Sequence, residues 1–303
     1  MKRIVVTGAS GFIGRETIAP LIARGFEVHA LGRSPVTQPG CRNHACDLLT
    51  NNVGRLLSEI APTHLLHLAW YAVPGKFWGA PDNLDWLAAS LRLVRAFAGA
   101  GGARVVVAGS CAEYDWSHPL LDEATTPLQP ATLYGRAKAA LFETLIAAAP
   151  VLGITLGWGR VFFPYGPFEA PGRLLSDVVD GVTVGRRVAC SDGLQSRDFL
   201  HVEDVASSFT ALVDCDVTGP VNIASGTATT VRDIVERAAR LAGDVGLIDW
   251  GARPRQPGEP LMMAATTRRL REEVGVAPRW TIAAGVTDAV ERRIIRAETR
   301  MAQ

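Results

Sequence analysis

The sequence lacks the features of several protein classes. No run of residues approaches the roughly 18 consecutive apolar side chains of a membrane-spanning helix. A net charge of +1 over 303 residues provides no field that would hold a nucleic acid. The five cysteines include no CxxC pair and no disulfide-like density, and the six histidines are scattered. We therefore expect neither a disulfide framework nor a metal site.

The start of the chain adds a further expectation. Met1 leads directly into a strand-like run, with no signal or transit peptide before it. Together with the cysteine usage, this predicts a cytoplasmic protein with no membrane partner and no nucleic-acid partner. The chain is 48% hydrophobic, which is enough for a sizeable core in one large α/β domain or in two unequal lobes.

The N-terminal stretch is the most informative part of the sequence. Residues 2–7 have the pattern of a buried parallel strand, and Gly8, Gly11 and Gly14 then punctuate the turn into a helix. Glycines in such a turn permit a tight bend, a close approach of the backbone to a pyrophosphate, and close packing of strand and helix. The N–H groups and the dipole at the helix start attract phosphate. The stretch predicts a dinucleotide cradle, with cofactor contacts from Gly8, Ser10, Gly11, Phe12, Ile13 and Gly14.

The end of the second predicted strand bears on the choice of dinucleotide. This strand covers residues 26–31 and is followed by Gly32, Arg33 and Ser34, where an NAD-binding fold carries an acidic residue for the ribose hydroxyl. A guanidinium and a hydroxyl would accept a 2′-phosphate, which favours NADP(H), with NAD(H) as the second choice. The alternative for Arg33 is a solvated loop position with no ligand.

Strands and helices alternate over the first half of the chain. The third predicted strand ends in Asp47 and Leu48, which we expect at the adenine edge of the cofactor. Strands are predicted over residues 2–7, 26–31, 43–48, 64–69, 104–109 and 154–158, and helices over residues 12–24, 52–60, 83–98 and 132–149. This alternation predicts a doubly wound parallel sheet of the Rossmann type, with right-handed crossovers.

The regular alternation of predicted strands and helices stops after Pro164, where a turn-rich segment begins. The later pattern predicts a helix over residues 174–180, strand-like runs at 182–184 and 187–189, a strand followed by a helix within 197–206, and a strand over 220–224. We therefore divide the chain into a dinucleotide-binding domain, residues 1–165 with 195–225 returning to it, and a smaller C-terminal substrate-binding lobe, residues 166–194 and 226–303.

The predicted strand at 64–69 and the loop after it carry unusual side chains. His67 lies within this apolar strand, and we interpret it as a core histidine rather than a ligand. The aromatic-rich loop 70–78 follows the carboxyl end of the strand, where doubly wound folds bind ligands. Two interpretations stay open for this loop: it walls a substrate pocket, or it packs onto the helix behind it.

Three side chains form a candidate catalytic group. Tyr134 and Lys138 are four residues apart on one face of a predicted helix, and Ser110 follows a parallel strand, so the three could converge on one carbonyl. With its ordinary pKa of about 10, a tyrosine is a poor base at neutral pH, but a nearby ammonium and an oxidised nicotinamide favour the phenolate. A serine hydroxyl can hydrogen-bond the reacting oxygen and fix its position.

Together, these motifs resemble the extended short-chain dehydrogenase/reductase family, in its nucleotide-sugar epimerase, dehydratase and ketoreductase branch. The resemblance covers essentially the whole chain. It is carried, in order, by TGASGFIG at 7–14, HLA at 67–69, Ser110 with Tyr134-x-x-x-Lys138, RVFFPYGP at 160–167, RDFLHVEDVA at 197–206 and PGEP at 257–260.

The resemblance implies roles for the residues at matching positions. It implies Tyr134 as the acid/base, Lys138 as the residue that binds the nicotinamide ribose and lowers the pKa of Tyr134, and Ser110 as the group that orients the substrate. The further contacts that it implies are Leu68 and Ala69 with the cofactor, and Trp70, Ser110, Arg197 and Arg255 with the substrate. The implied substrate is a nucleotide-diphosphate sugar, gripped at its diphosphate by the two arginines. The implied assembly is a homodimer formed through the helices at 83–98 and 132–149.

Some positions depart from the family pattern. Cys111 and Ala112 follow the catalytic serine where the dehydratases carry an Asp-Glu pair, so the acid and base that expel water are missing. Glu113 is one position off, and we expect it to face elsewhere. The other departures are Phe163, in place of a substrate-binding Asn, and Gln256, in place of an arginine before Pro-Gly-Glu.

The sequence thus predicts an NADPH-dependent reductase of a nucleotide-activated 4-keto-6-deoxy sugar. The NADP-like strand end suits a net reductant, and the dehydratase acids are absent. The alternative is a nucleotide-sugar epimerase that holds NAD⁺ tightly and recycles it internally. A third hypothesis, a regulatory protein that binds dinucleotide without turnover, is disfavoured because Tyr134 and Lys138 are both present.

Overall fold

The computed structural model describes residues 2–255 and 258–301. In chain order its strands are β1 (Lys2–Thr7), β2 (Phe26–Gly32), β3 (Cys41–Ala45), β4 (His64–His67), β5 (Arg104–Ser110), β6 (Leu120–Leu121), β7 (Thr155–Val161), β8 (Phe163–Tyr165), β9 (Val188–Ala189), β10 (Ser196–His201), β11 (Gly219–Ile223), β12 (Ala228–Thr230), β13 (Ile248–Asp249) and β14 (Met262–Ala265). Its α-helices are α1 (Gly14–Ala23), α2 (Gly54–Ile60), α3 (Asp82–Gly99), α4 (Leu133–Leu152), α5 (Leu174–Thr183), α6 (Val202–Val213), α7 (Val231–Ala242) and α8 (Ile282–Met301).

Seven strands form one parallel sheet in the order β3-β2-β1-β4-β5-β7-β11. β1 is fully buried from Ile4 to Val6, as expected for a parallel strand that is covered on both faces. The strand order reverses between β1 and β4, which opens a crevice at the carboxyl ends of these strands. The predicted doubly wound α/β fold is confirmed.

Helices cover both faces of this sheet. On one face, Ile18 of α1 and Phe209 of α6 pack against the strands. On the other face, Leu57 of α2, Leu93 of α3 and Leu141 of α4 do the same. Burial of these side chains supplies the main driving force for the fold. Within residues 2–255 and 258–301, no helix has both the length and the apolar character to cross a membrane.

Helices α5, α7 and α8 share a separate core around Val178, Ile234 and Val286, here called the C-terminal lobe. A small mixed sheet has the order β12-β10-β14-β6, with β8 paired to β10. β10 leads directly into α6, and β11 is the edge strand of the parallel sheet. The division of the chain into two domains stays a prediction.

β3 is displaced from its predicted position at 43–48. It ends at Ala45, because Asp47 begins a turn in which its carboxylate accepts the N–H of Leu49 at 3.0 Å. The side-chain oxygen of Asn51 accepts the N–H of Asp47 at 2.7 Å and holds the same turn. Asp47 and Leu48 therefore lie on the loop beyond the strand.

The strand-like run predicted at 182–184 is wrong. Val182 and Thr183 form the last residues of α5. The side chain of Val182 is buried in the core of the C-terminal lobe, and this packing outweighs the strand propensity of its branched side chain. β4 ends two residues earlier than predicted, and β7 runs three residues further.

Candidate active site

The turn between β1 and α1 has no room for side chains at two of its glycines. Gly8 has a φ of 72°, and a Cβ atom there would lie 2.7 Å from the backbone nitrogen of Ala69. A Cβ atom at Gly14 would collide with the carbonyl oxygen of Gly8. The N–H of Gly11 donates to that same oxygen at 2.9 Å. The turn is compact because of these contacts, and Leu68 and Ala69 lie directly against it.

The start of α1 lies at the end of this turn. Ile13 occupies the N-cap position and supplies no side-chain cap, and the N–H groups of Arg15 and Glu16 donate to the carbonyls of Gly11 and Ile13, at 3.2 and 3.1 Å. Such a terminus attracts phosphate. Ser10 and Phe12 are half-buried in the same turn. The geometry fits the pyrophosphate of a dinucleotide.

The ends of β2 and β3 form the next part of the crevice. Arg33 and Ser34 are exposed directly after β2. The chain that follows β3 donates a backbone hydrogen bond of 3.1 Å to the carbonyl of Gly32, so the two strand ends are neighbours. Asp47 is half-buried and Leu48 is buried on that adjacent loop. The end of β2 presents a guanidinium and a hydroxyl, with no acidic side chain.

His67 is a core histidine, as predicted. One imidazole nitrogen lies 2.6 Å from the hydroxyl of Thr7 and the other lies 2.8 Å from the hydroxyl of Ser90. Burial lowers the pKa of His67 to about 3, so the ring is neutral at physiological pH. The ring joins β1, β4 and α3 beneath the crevice.

Ser110 and Tyr134 meet where α4 approaches the end of β5. Thr132 caps α4 by accepting the N–H of Gly135 at 3.1 Å, which places Tyr134 in the first turn. A Cβ atom at Gly135 would collide with the carbonyl oxygen of Ala112, so this glycine allows the close approach. Burial raises the pKa of Tyr134, and a side-chain hydrogen bond with Ser110 opposes that rise.

Lys138 lies one helical turn after Tyr134 and is almost fully buried. Its ammonium group donates to the carbonyl of Ala108 at 2.7 Å. Burial lowers the pKa of Lys138 to about 7, and the negative charge of Glu113 acts in the opposite direction. The predicted trio of Ser110, Tyr134 and Lys138 therefore gathers at the carboxyl end of β5.

Glu113 is occupied by interactions within the core. One carboxylate oxygen accepts the N–H of Ser110 at 2.7 Å, and the other accepts Nε of Arg160 at 2.7 Å. The indole N–H of Trp158 donates to both oxygens, at 3.1 and 3.0 Å. The carboxylate is therefore not free to act as an acid or a base. Through the Ser110 N–H it fixes the backbone at the end of β5.

The aromatic-rich loop 70–78 surrounds the ring of Tyr134. The centroids of Phe77, Trp78 and Trp70 lie 4.9, 5.8 and 6.5 Å from that of Tyr134, all edge to face. The indole N–H of Trp70 donates to Asn83 Oδ1 at 2.9 Å, which ties the loop to α3. The loop thus packs onto the helix behind it and also walls the space beside Tyr134. The interpretation as a loop packed onto the helix is confirmed, and a role in a substrate pocket stays a prediction.

The two arginines expected at the substrate diphosphate already have carboxylate partners. Arg197, on β10, lies 2.5 Å from Glu259, and Arg255 lies 3.4 Å from Asp192. The departure from the family pattern at Gln256, together with Pro257 of the PGEP landmark, lies outside the described residues. Phe163, the other departure, packs against Phe199 with ring centroids 6.1 Å apart.

Residues 4–224 match the family model described as "NAD dependent epimerase/dehydratase family". The chain belongs to this family. Its enzymes belong to the extended short-chain dehydrogenase/reductase group, so the predicted membership is confirmed.

Among curated members of the epimerase/dehydratase family, a UDP-glucose 4-epimerase from Corynebacterium glutamicum is 23% identical over 304 residues, covering 92% of each chain. A dTDP-6-deoxy-L-talose 4-dehydrogenase (NAD(P)(+)) from Kitasatospora kifunensis is 28% identical over 250 residues, covering 77% of each chain. Among solved structures, MoeE5 in complex with UDP-glucose and NAD is 29% identical, with a TM-score of 0.86. That match covers 97% of this chain and 99% of MoeE5.

Proposed function

We propose that the protein is an NADP(H)-dependent reductase that acts on the keto group of a nucleotide-activated 4-keto-6-deoxy sugar. The observation that carries this proposal is the gathering of Ser110, Tyr134 and Lys138 at the end of one strand. In the turn that follows, Cys111 and Ala112 stand at the two positions where the dehydratases carry acidic residues. A carbonyl placed there meets a proton donor and an orienting hydroxyl.

The residues of the crevice fit a dinucleotide. Gly8 and Gly14 sit in a turn that a Cβ atom would disrupt, and the start of α1 lies beside it. We propose that Arg33 and Ser34 receive the 2′-phosphate of NADP(H) and that Lys138 binds the nicotinamide ribose. When bound, the nicotinamide supplies the hydride for the keto carbon.

The chain supplies the proton. Tyr134 donates its phenolic proton to the substrate oxygen, and the hydroxyl of Ser110 holds that oxygen and the phenol in register. Burial alone would make the resulting phenolate costly, because it raises the pKa of Tyr134. The hydrogen bond with Ser110 and the positive charge of Arg173 lower the pKa of Tyr134 and offset part of that cost. We propose that the Lys138 ammonium, one helical turn away, also favours the anion.

Loss of water from the sugar is disfavoured at this site. Burial raises the pKa of the Cys111 thiol to about 12, so it is a poor base, and Ala112 has no titratable group. Glu113, the nearest carboxylate in sequence, is held by Arg160 and Trp158. The residues therefore support a simple redox step over a dehydration.

We propose that Arg197 and Arg255 bind the diphosphate of the substrate and that Trp70 lies against the sugar side of the pocket. A nucleotide-sugar substrate is supported by the likeness to the 4-epimerase of Corynebacterium and the 4-dehydrogenase of Kitasatospora. We also propose a homodimer through α3 and α4, which expose Leu84 and Ile146. Sedimentation of the purified protein tests that assembly.

A nucleotide-sugar epimerase is the second candidate. It is favoured by the likeness to MoeE5, which was solved with UDP-glucose and NAD, and to the 4-epimerase of Corynebacterium. Cofactor extracted from the purified protein separates the candidates. Exchangeable NADPH, with consumption of NADPH in the presence of a 4-keto-6-deoxy sugar nucleotide, supports reduction. Tightly bound NAD⁺, with interconversion of UDP-glucose and UDP-galactose, contradicts it.

A further inference from the structure

The ammonium of Lys138 faces an aromatic ring that the catalytic chemistry described above does not use. The Nζ atom lies 3.8 Å from the ring centroid of Trp70. Lys138 is 3% exposed, and its ammonium donates a hydrogen bond to the carbonyl of Ala108. A cation so placed over an indole face is attracted by the ring quadrupole, most strongly where water is excluded.

The position of Trp70 is itself fixed from α3. Its indole N–H donates to Asn83 Oδ1 at 2.9 Å. The amide nitrogen of the fully buried Asn83 donates to the carbonyls of Phe77 and Ala80, at 2.7 and 2.8 Å. One buried amide therefore holds both the ring and the loop that carries it.

We propose that Trp70 is a positioning residue for Lys138, whose ring face keeps the ammonium charged and in place beside Tyr134. The proposal rests on the proposed function in one respect: a charged Lys138 matters because Tyr134 must release and regain a proton. The predicted contact of Trp70 with substrate is a separate matter, since one face of the indole is enough for Lys138.

The ionisable groups around Lys138 leave room for a contribution from Trp70. His67, on β4, is neutral because burial lowers its pKa. Glu113, on the turn after β5, favours the Lys138 cation, but its carboxylate is also paired with Arg160 at 2.7 Å. Tyr134, on the same helix, is neutral when it is ready to donate its proton. Because burial lowers the pKa of Lys138, the loss of a stabilising contact shifts this side chain further toward the neutral amine.

The composition of the chain permits a direct measurement. The sequence contains three lysines, Lys2, Lys76 and Lys138. Lysine labelled with ¹³C at Cε gives one NMR signal for each, and Lys2→Arg and Lys76→Arg variants assign them. The protonation midpoint of Lys138 is then read from a pH titration of the full chain without cofactor or substrate, so the result does not depend on any enzymatic activity.

In the Trp70→Leu variant we expect the midpoint of Lys138 to fall by about one pH unit, the size of a desolvated cation–π contact. In the Trp70→Phe variant the midpoint of Lys138 should fall by less, because phenylalanine keeps an aromatic ring at this position. Trp250→Leu is the matched control, since Trp250 covers Arg232 at 4.2 Å in the C-terminal lobe, and it should leave the midpoint unchanged.

Fluorinated tryptophan at position 70 provides a test that does not depend on a cavity. Fluorine withdraws π charge and largely preserves the shape of the ring, so the midpoint of Lys138 should fall with each added fluorine. An unchanged midpoint of Lys138 in the Trp70→Leu variant would overturn the proposal. If the Trp70→Leu variant does not fold, an unchanged midpoint in the fluorinated series would overturn it. If the midpoint falls as expected and no ketone is reduced, the role of Trp70 stands and the proposed reaction is wrong.

Discussion

Glu113 and Arg160 form an ion pair in the interior of the protein, next to the backbone of Ser110. Nε of Arg160 lies 2.7 Å from the carboxylate, and the two side chains are 2% and 0% exposed. Arg160 also donates to the hydroxyl of Tyr114 at 3.0 Å, which in turn donates to Asn222 Oδ1 at 2.8 Å. The end of β5 is thus joined through buried polar groups to β7 and β11.

This pair should be sensitive to the loss of one partner. In a Glu113→Ala variant, Arg160 keeps its charge without a counter-ion, so we expect the free energy of unfolding to drop by about 3–5 kcal/mol. Urea denaturation measures the change. Glu59→Ala, which removes an exposed partner of Arg55, should cost less than about 1 kcal/mol. Equal losses in the two variants would show that burial of the pair has no special effect.

The glycine turn permits a matched pair of substitutions. Gly14→Ala places a Cβ atom against the carbonyl of Gly8, so the turn must open and dinucleotide affinity should fall by more than about tenfold. Gly99→Ala, at the end of α3, introduces a Cβ atom with nothing within 4 Å and should leave binding unchanged. Calorimetric titration with NADPH distinguishes them. Normal binding by the Gly14→Ala variant would place the cofactor elsewhere.

Arg33 tests the choice between the two dinucleotides. If its guanidinium meets the 2′-phosphate, Arg33→Gln should weaken binding of NADPH by about tenfold or more and leave binding of NADH unchanged. Arg55→Gln, which removes an exposed arginine on α2, is the control. Equal losses for NADPH and NADH would mean that Arg33 does not read the phosphate, and the interpretation as a solvated loop residue would hold.

Glu259 should compete with the substrate for Arg197. The carboxylate lies 2.5 Å from the guanidinium, where we propose that a diphosphate binds. Glu259→Gln should therefore bind UDP several-fold more tightly, and Arg197→Gln should bind it more weakly. Glu236→Gln, which breaks the ion pair between Glu236 and Arg240 on α7, should not change the affinity for UDP. Weaker UDP binding by Glu259→Gln would assign the carboxylate a role in orienting Arg197.

The parts of the fold and site that the sequence predicted are those with a local pattern. The glycine turn, the parallel strands and the Tyr-x-x-x-Lys spacing each lie within about a dozen residues, and β5 ends at Ser110 as expected. The strand-like run at 182–184 failed, because three residues carry too little periodicity to outweigh the packing of α5.

The contacts that hold the site together are long-range and could not be read from the sequence. Arg160 is 47 residues from Glu113, and no spacing rule pairs them. The hydrogen bond from Trp70 to Asn83 spans a loop without periodicity. The contact of Gly135 with the turn after β5 could have been predicted, because a glycine directly after a candidate catalytic tyrosine indicates a close backbone approach.

If the phenol of Tyr134 is the proton donor, a Tyr134→Phe variant should bind cofactor but lose turnover. Turnover and NADPH binding are measured together, with a 4-keto-6-deoxy sugar nucleotide as substrate. We predict that kcat falls by about 10²–10⁴-fold, while the thermal shift produced by NADPH stays the same. Full turnover by a variant that binds NADPH normally would contradict the account.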